Sequence, residues 1–282
     1  MPERRRLIGL AIGFAGVVLI AVPAGGKGGN SLVVDTNPGA DDKVYSIVSN
    51  GSKLFFSATD GTNGDEWWVS DGTAAGSFML KDVQPGSKGA SPYGSFVLGT
   101  TAYTWMWPAG AGGFQLWKSD GTSAGTTMVV ETVLWDMYPM GTAGGKAYFI
   151  GGGGDTDGAY EVWVTDGTSA GTKLVKNLFS GWSDSGDFVG FTSFGTKLAF
   201  GAKKYGSAQN GLWITDGTEA GTTRLYEVTG SEEMTGVAAV GGSLYATTRG
   251  VAYYNCVSSA GAFLKSDGTL GGTTKVIGYG CF

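Results

Sequence analysis

The tripeptide Asp-Gly-Thr recurs five times along this chain, and the regular spacing of its copies constrains the fold more than any other sequence feature. The copies begin at Asp71, Asp120, Asp166, Asp216 and Asp267. Each Asp is followed five residues later by a Gly and then by Ser or Thr, and in four copies a Trp stands three residues before the Asp. A period of about 50 residues is typical of propeller blades. We therefore expect each copy to mark one blade.

Each repeat contains enough strand-like sequence for four strands. The segment before Asp-Gly-Thr has adjacent apolar residues, such as Val162 and Trp163, which point to opposite faces of a strand. A strand that is apolar on both faces lies between two layers, as in a blade between its neighbours. A Gly turn flanked by two strands and a strand after the Gly-Thr pair complete the unit. We expect Asp-Gly-Thr to join the last strand of one unit to the first strand of the next.

These strands predict an all-β fold, since helical periodicity is nearly absent after residue 30. Radial closure protects sheet edges, so we predict a five-bladed β-propeller of four-stranded antiparallel blades. Strand-like sequence occurs at residues 31–35 and again at 273–279. One of these strands would complete a terminal blade shared by both ends of the chain. Residues 31–282 would then form a single domain of five repeats, each about 50 residues long.

Turn chemistry explains the Asp-Gly-Thr motif without a role in binding or catalysis. Asp accepts hydrogen bonds from nearby backbone N–H groups, Gly allows positive φ, and Thr adds a local hydroxyl bond. Because every copy shares this chemistry, we interpret the five Asp residues as structural. A ring of carboxylates that binds cations or a ligand is the alternative.

The N-terminal segment resembles an export signal. Three Arg at residues 4–6 precede an apolar run at 7–22, and Val22 and Ala24 satisfy the small-residue cleavage rule. We predict a signal peptide over residues 1–24, with retention as a membrane anchor as the alternative. A Gly-rich linker follows at residues 25–30. The expected location is extracellular or at the cell surface, with the periplasm as a further compartment.

Both cysteines of the chain, Cys256 and Cys281, lie near its C-terminal end. After export to an oxidising compartment they can pair, and closing a loop of about 25 residues contributes on the order of 3 kcal/mol. We predict this disulfide. Two buried free thiols are the alternative.

Residue usage excludes several functions. The chain has 24 acidic and 19 basic side chains, and its basic residues after the N-terminus are scattered, so no nucleic acid partner is expected. Histidine is absent, which removes the commonest general base and metal ligand. We therefore expect a protein that is not an enzyme. A carboxylate-based glycoside-active enzyme is the less favoured alternative, with Glu131, Glu161, Asp187 and Glu227 as available carboxylates.

At its repeats the sequence resembles the bacterial ELWxxDGT-repeat proteins, whose units read Glu-Leu-Trp-x-x-Asp-Gly-Thr-x-x-Gly-Thr. Residues 66–73 and 161–168 match this pattern well. Gln115 and Gly211 replace the Glu in the second and fourth copies, and Leu264 replaces the Trp in the fifth. The resemblance covers residues 31–282. It implies an exported, propeller-like surface protein, and it supplies no catalytic residues.

The residues that do not repeat are the candidates for a specific site. Alternating strands place the Gly turns and Asp-Gly-Thr turns at one end of each blade and the variable loops at the other. The ligand-binding candidates at the variable end are Trp105, Trp107, Trp135, Tyr138, Trp182, Asp184 and Tyr205. Aromatic rings beside carboxylates suit sugars, because apolar sugar faces stack on the rings and hydroxyl groups bond to Asp. Packing of these aromatic residues into blade ends is the alternative.

Two loops carry oxygen ligands at alternate positions, which suggests calcium as the one cofactor. The candidates are Asp60 and Asp65 in the first loop and Asp155 and Asp157 in the second. Neither loop has the distal bidentate Glu of the helical calcium loop, and polar hairpin turns are the alternative.

Together these features predict a non-catalytic, exported β-propeller that acts as a binding or cell-surface module. Carbohydrate is the preferred ligand class, bound in a lectin-like and multivalent manner. The alternative is a structural subunit of a surface layer or extracellular filament. Expected partners are a glycan, a cell-surface component or copies of the chain, with membrane contact only through an uncleaved N-terminal segment.

Overall fold

The computed structural model describes residues 17–20, 31–37, 44–153, 159–179, 187–203, 209–229, 232–250 and 261–278. All regular elements in these ranges are strands, which confirms the predicted all-β class. No helix in the described ranges is long and apolar enough to cross a membrane. The chain divides into two compact units, Met1–Thr132 and Val133–Phe282. Cys256 and Cys281, with their predicted disulfide, lie outside the described residues.

The first unit contains a two-stranded ribbon and two four-stranded antiparallel sheets. The ribbon pairs β1 (Val17–Ile20) with β2 (Ser31–Asp35). The first sheet contains β3 (Tyr45–Ser49), β4 (Leu54–Ala58), β5 (Glu66–Ser70) and β6 (Phe78–Lys81). The second sheet contains β7 (Tyr93–Leu98), β8 (Thr101–Met106), β9 (Gln115–Ser119) and β10 (Thr127–Glu131).

The second unit contains three sheets of the same kind. The third sheet contains β11 (Leu134–Ala143), β12 (Lys146–Gly153), β13 (Tyr160–Thr165) and β14 (Lys173–Lys176). The fourth sheet contains β15 (Asp187–Phe194), β16 (Lys197–Lys203), β17 (Gly211–Thr215) and β18 (Thr223–Glu227). The fifth sheet contains β19 (Glu232–Val240), β20 (Ser243–Gly250), β21 (Ala262–Ser266) and β22 (Thr274–Gly278). Five sheets of four consecutive strands confirm the predicted blades.

The Asp-Gly-Thr turns join the third and fourth strands of one sheet, which corrects the expectation that they join successive units. Asp166, for example, lies between β13 and β14, which are paired antiparallel. A tight turn connects strands that are hydrogen-bonded neighbours, so it stays within one sheet. The C-terminal β22 is accordingly the fourth strand of the fifth sheet, and β2 pairs with β1. Neither strand is shared between four-stranded sheets, and closure of a ring stays a prediction.

Neighbouring sheets within each unit pack through apolar faces. Trp67 of the first sheet packs in one buried cluster with Met106 of the second. Val162 of the third sheet shares a buried cluster with Phe200 of the fourth, and the fourth and fifth sheets pack in the same way. The fourth sheet packs against both the third and the fifth, and its Trp-bearing strand β17 is buried along its whole length for that reason.

The first strands of neighbouring sheets lie side by side within each unit. Ser46 Oγ of β3 hydrogen-bonds with Ser95 Oγ of β7 at 2.9 Å. Gly190 of β15 lies so close to β19 that an added Cβ atom would come within 2.1 Å of the Val237 backbone N. Ser46 and Gly190 have positive φ and lie in register irregularities, which recur in all five first strands. These bulges bend the first strands.

Every sheet has a turn end and a loop end. The turn end carries the Gly turns before the second strands and the Asp-Gly-Thr turns. The loop end carries the loops between second and third strands and those after the fourth strands. At the turn end, Lys146 Nζ donates to the backbone O of Asp216 at 2.6 Å, and Lys53 Nζ donates to that of Gly121 at 3.0 Å. These bonds link the Gly turn of one sheet to the Asp-Gly-Thr turn of the next.

Candidate functional site

The Asp-Gly-Thr turns are closed by hydrogen bonds within the motif. Asp166 Oδ1 accepts from the backbone N of Thr168 at 2.9 Å and from its Oγ1 at 2.6 Å. Gly167 between them has a φ of 86°. The other four copies form the same bonds. The hydroxyl and amide donors of the Thr lower the pKa of all five carboxyl groups. These are the turn bonds that the sequence predicts, and a purely structural role of the five Asp residues stays a prediction.

A hydroxyl pair reinforces each turn and was not predicted. Thr165 Oγ1 accepts from the backbone N of Gly167 at 3.0 Å and hydrogen-bonds with Thr172 Oγ1 at 2.8 Å. The signal for this pair is a Ser or Thr immediately before every motif Asp. These residues are Ser70, Ser119, Thr165, Thr215 and Ser266.

The Gly that follows each Asp by five residues is required by contact with the carboxylate. An added Cβ atom at Gly272 would lie 2.1 Å from Asp267 Oδ1, whereas one at Gly271 would meet no atom within 4 Å. We expect Gly272→Ala to lower the free energy of unfolding by about 1–2 kcal/mol. The new methyl group would displace the Asp267 carboxylate from its hydrogen bonds with Thr269. Gly271→Ala is the matched control and is expected to be neutral or slightly stabilising. Equal urea midpoints for the two variants would refute the contact.

The Glu of the repeat motif is a buried anchor for the loop that follows the fourth strand. Glu161 is 0% exposed and accepts from the backbone N of Leu178 at 2.8 Å and of Phe179 at 2.5 Å. Glu66 is equally buried and accepts from three backbone N–H groups in residues 83–90. Burial raises the pKa of both carboxyl groups to about 7. Glu161, one of the carboxylates available to the enzyme alternative, is thus buried beneath the loop that it holds.

The structure divides the predicted aromatic site residues. Trp105 is only 1% exposed and belongs to the buried core, so its assignment to the ligand site is wrong. Trp107 is half-buried and packs edge-to-face on Phe114, with ring centroids 4.9 Å apart. Trp135 and Tyr138 are 52% and 46% exposed. The remaining candidates, Trp182, Asp184 and Tyr205, lie outside the described residues.

Both carboxylates of the first predicted calcium loop accept hydrogen bonds within the protein, and calcium binding there stays a prediction. Asp60 Oδ1 accepts from the backbone N of Thr62 at 2.9 Å and of Asn63 at 2.7 Å, and these bonds lower its carboxyl pKa. The carboxylate of Asp65 accepts a hydrogen bond from the hydroxyl of Tyr45. Asp155 and Asp157 lie outside the described residues. Within the described part of the chain, no group of three or more acidic or Cys side chains is arranged to hold a metal ion.

A cleft of about 380 Å³ lies towards the loop end between the third and fourth sheets. One wall belongs to the third sheet and the other to the fourth. The lining residues are Tyr138, Ile150, Tyr160, Asp187, Phe188, Val189 and Lys203. Among the ligand-binding residues predicted from the sequence, Tyr138 lines the cleft. Tyr160 lines it as well, and the sequence pattern does not single this residue out.

The wall on the third sheet is an aromatic pair organised by one carboxylate. Tyr138 and Tyr160 both donate their hydroxyl hydrogen to Asp136 Oδ2, at 2.9 Å and 2.7 Å. Their rings lie 6.0 Å apart and are inclined by 55°. The bond to Asp136 raises the pKa of Tyr160 to about 12, because the carboxylate stabilises the protonated phenol. Asp136 also accepts from the backbone N of Met137 at 3.0 Å.

Glycine at position 152 makes this arrangement fit across three strands. Gly152 pairs with Asp136 of β11 on one side and with Tyr160 of β13 on the other. Because Gly152 has no side chain, the carboxylate and the phenol meet over it. An added Cβ atom would lie 3.1 Å from the Tyr160 ring. The three consecutive glycines at residues 151–153 are the sequence signal for this space.

The wall on the fourth sheet is charged. Asp187 and Lys203 are cross-strand partners, and Lys203 Nζ lies 3.4 Å from Asp187 Oδ2 and 3.9 Å from Glu233 Oε2. Glu233 is in turn paired with Arg249 at 2.6 Å. The Asp187 side chain is 78% exposed, whereas that of Lys203 is 22% exposed. The carboxylate is therefore the more accessible charge of this wall.

Comparisons with known proteins agree with this architecture. No family model and no curated protein match the sequence. Among solved structures, puromycin hydrolase aligns over 95% of this chain and 42% of its own, with 13% identity and a TM-score of 0.52. Oligopeptidase B from Leishmania major aligns over 93% of this chain and 39% of its own, with 12% identity and a TM-score of 0.52.

A structure from a study of two prolyl endopeptidases aligns over 92% of this chain and 38% of its own, with 16% identity and a TM-score of 0.52. The chain thus spans less than half the length of each of these structures. At such identity the similarity shows the fold alone. The five four-stranded antiparallel sheets and these similarities place the chain in the β-propeller fold class.

Proposed function

We propose that this protein is an exported, non-catalytic β-propeller that binds carbohydrate in the cleft between its third and fourth sheets. The observation that carries the proposal is the pair of tyrosines held by Asp136 in the wall of that cleft. Rigid aromatic rings bordered by fixed polar groups suit sugars, which have apolar faces and hydroxyl rims.

The lining supports an amphipathic ligand. Ile150, Phe188 and Val189 supply apolar surface next to the two tyrosines, and Asp187 and Lys203 supply hydrogen-bonding groups at the rim. The phenols are oriented before a ligand arrives, so binding does not have to order them.

The structural partners of the carboxylates support a non-catalytic role. Glu161 holds a loop, and Glu131 accepts from the backbone N of Gly112 at 2.9 Å. Glu227 pairs with Arg224 at 2.8 Å, and Asp187 lies 3.4 Å from Lys203. Each therefore has a structural partner. Export is supported by the arginine-led apolar N-terminal segment and by the resemblance to ELWxxDGT-repeat proteins.

The first test is a glycan panel with the full chain, followed by titration of the best ligand. We expect Tyr138→Ala to weaken binding about tenfold, since an aromatic stacking partner contributes about 1–1.5 kcal/mol. Tyr93→Ala is the matched control, because Tyr93 is exposed to a similar degree (42%) but lies in the first unit. Equal affinities for both variants would exclude the cleft. A panel without any bound glycan, together with a polymeric native mass, would support the structural-subunit alternative.

The space over Gly152 provides a second test. We expect Gly152→Ala to weaken glycan binding severalfold while changing the unfolding free energy by less than about 1 kcal/mol, because the new methyl group displaces only the Tyr160 ring. Isothermal titration and urea denaturation measure the two effects. Gly271→Ala, remote from any contact, should leave both values unchanged.

A further inference from the structure

We infer that the ligand of this cleft carries a protonated amine, and that its class is an amino sugar whose amine is free rather than acetylated. This inference rests on the proposed function and specifies its ligand. It follows from the hydrogen-bonding character and the charge of the two walls of the cleft.

The tyrosine wall presents acceptors. The hydroxyl hydrogen of Tyr160 is directed to Asp136, so its phenol oxygen has only acceptor capacity left. Asp136 itself accepts from two phenols and from the backbone N of Met137. Acceptors are matched by a ligand rich in donors. An ammonium group has three donors and no acceptor, whereas an acetamide presents an acceptor as well.

The aromatic lining adds a second reason. The rings of Tyr138, Tyr160 and Phe188 all border the cleft. The face of an aromatic ring attracts a cation within about 6 Å of its centroid. Aromatic residues next to carboxylates therefore recognise ammonium groups by two attractions that a neutral hydroxyl group lacks.

The net charge in and around the cleft is negative, which also favours a cationic ligand. In and beside the cleft, Asp136, Asp187 and Glu233 contribute three negative charges, and Lys203 and Arg249 contribute two positive charges. Lys203 Nζ lies 3.4 Å from Asp187 Oδ2 and 3.9 Å from Glu233 Oε2, so its charge is shared between two carboxylates. Asp187 is the exposed member of its pair. A cationic ligand gains from this field, and a neutral sugar does not.

The test compares three oligosaccharides of equal length by titration calorimetry of the full chain at mildly acidic pH. The probes are a glucosamine hexamer, its N-acetylated counterpart and a glucose hexamer. We expect the glucosamine hexamer to bind about tenfold more tightly than either neutral hexamer. The preference should shrink as salt is added, because the charges at the cleft are partly exposed.

Two variants connect the preference to the cleft. Asp136→Asn and Asp187→Asn each remove one negative charge with little change of shape. Both are expected to weaken binding of the glucosamine hexamer more than binding of the neutral hexamers, so the preference for the amine falls. Glu219→Gln is the control, because this exposed carboxylate belongs to a turn-end loop of the fourth sheet. Thermal unfolding of each variant shows that the chain still folds.

The outcomes are distinguishable. Equal affinity for the three hexamers, or tighter binding of the N-acetylated one, overturns the amine inference and leaves carbohydrate binding intact. A lysine-rich peptide serves as a fourth probe. If this peptide binds and none of the hexamers does, the sugar assignment is overturned in favour of a protein ligand. Binding of none of the hexamers while the panel yields another glycan overturns the amine inference alone, and the absence of any bound glycan in the panel overturns the proposed function. An amine preference that survives in both Asn variants shows that it arises outside the cleft, and this result also overturns the inference.

Discussion

Replacing Glu161 by Ala is expected to lower the free energy of unfolding by about 3 kcal/mol. The carboxylate is fully buried, and its removal leaves the backbone N–H groups of Leu178 and Phe179 without an acceptor. An unsatisfied buried donor costs about 1–3 kcal/mol, more than most single contacts in a protein. Urea denaturation followed by tryptophan fluorescence measures the change.

Gln115→Ala is the control for this effect, since Gln115 occupies the same motif position in the second repeat. Its side chain is only half-buried and bonds to Glu131 at 2.7 Å and to the indole N–H of Trp117 at 3.0 Å. We expect it to cost no more than about 1 kcal/mol. An effect of Glu161→Ala that is no larger would refute the anchoring role of the motif Glu.

The stability of the protein is expected to fall as the pH rises from about 4.5 to 7. The folded-state pKa of Glu66 and of Glu161 is about 7, above the ordinary value of 4.5, because burial disfavours the carboxylate. The folded chain therefore holds a proton that the unfolded chain releases in this range, and unfolding becomes easier with rising pH. Each group accounts for at most about 3 kcal/mol. Denaturation midpoints at successive pH values give the slope.

This pH range contains few competing groups. The chain has no histidine, and the Asp-Gly-Thr carboxyl groups, with their lowered pKa, act only at lower pH. Their stabilising effect is lost as the pH falls below the ordinary value of 3.8, which is the opposite sign. The Glu66→Gln, Glu161→Gln double variant should be less stable overall and nearly independent of pH between 4.5 and 7. A slope as steep as in the parent chain would contradict the assignment.

The Asp-Gly-Thr turns show which features of this protein can be predicted from its sequence. Asp166, Gly167 and Thr168 are adjacent in the chain, and so are the groups that they hydrogen-bond. The conformation of such a turn depends on its own residues, and the same bonds form in all five copies. The number of repeats, the strand content and the division into a turn end and a loop end follow from these local patterns.

The ligand-site candidates show where local patterns are insufficient. Trp105 and Tyr138 both stand in aromatic, non-repeating segments, yet one is buried and the other lines a cleft. Tyr160 was not singled out, because its partner Asp136 lies 24 residues earlier and meets it only through the register of three strands. A cross-strand contact of this kind depends on which residue lies opposite which, and on the absence of a side chain at Gly152.

The sequence by itself determined the repeat number, the all-β class and the hydrogen bonds of the Asp-Gly-Thr turns, because each of these depends on residues within a few positions of one another. The tertiary structure decided that the turns close a single sheet, that Glu161 is buried under a loop 17 residues further on, and that Tyr138, Asp136 and Tyr160 form one wall of a cleft. Burial and strand register join residues that are distant in the chain, and only the packed sheets define them.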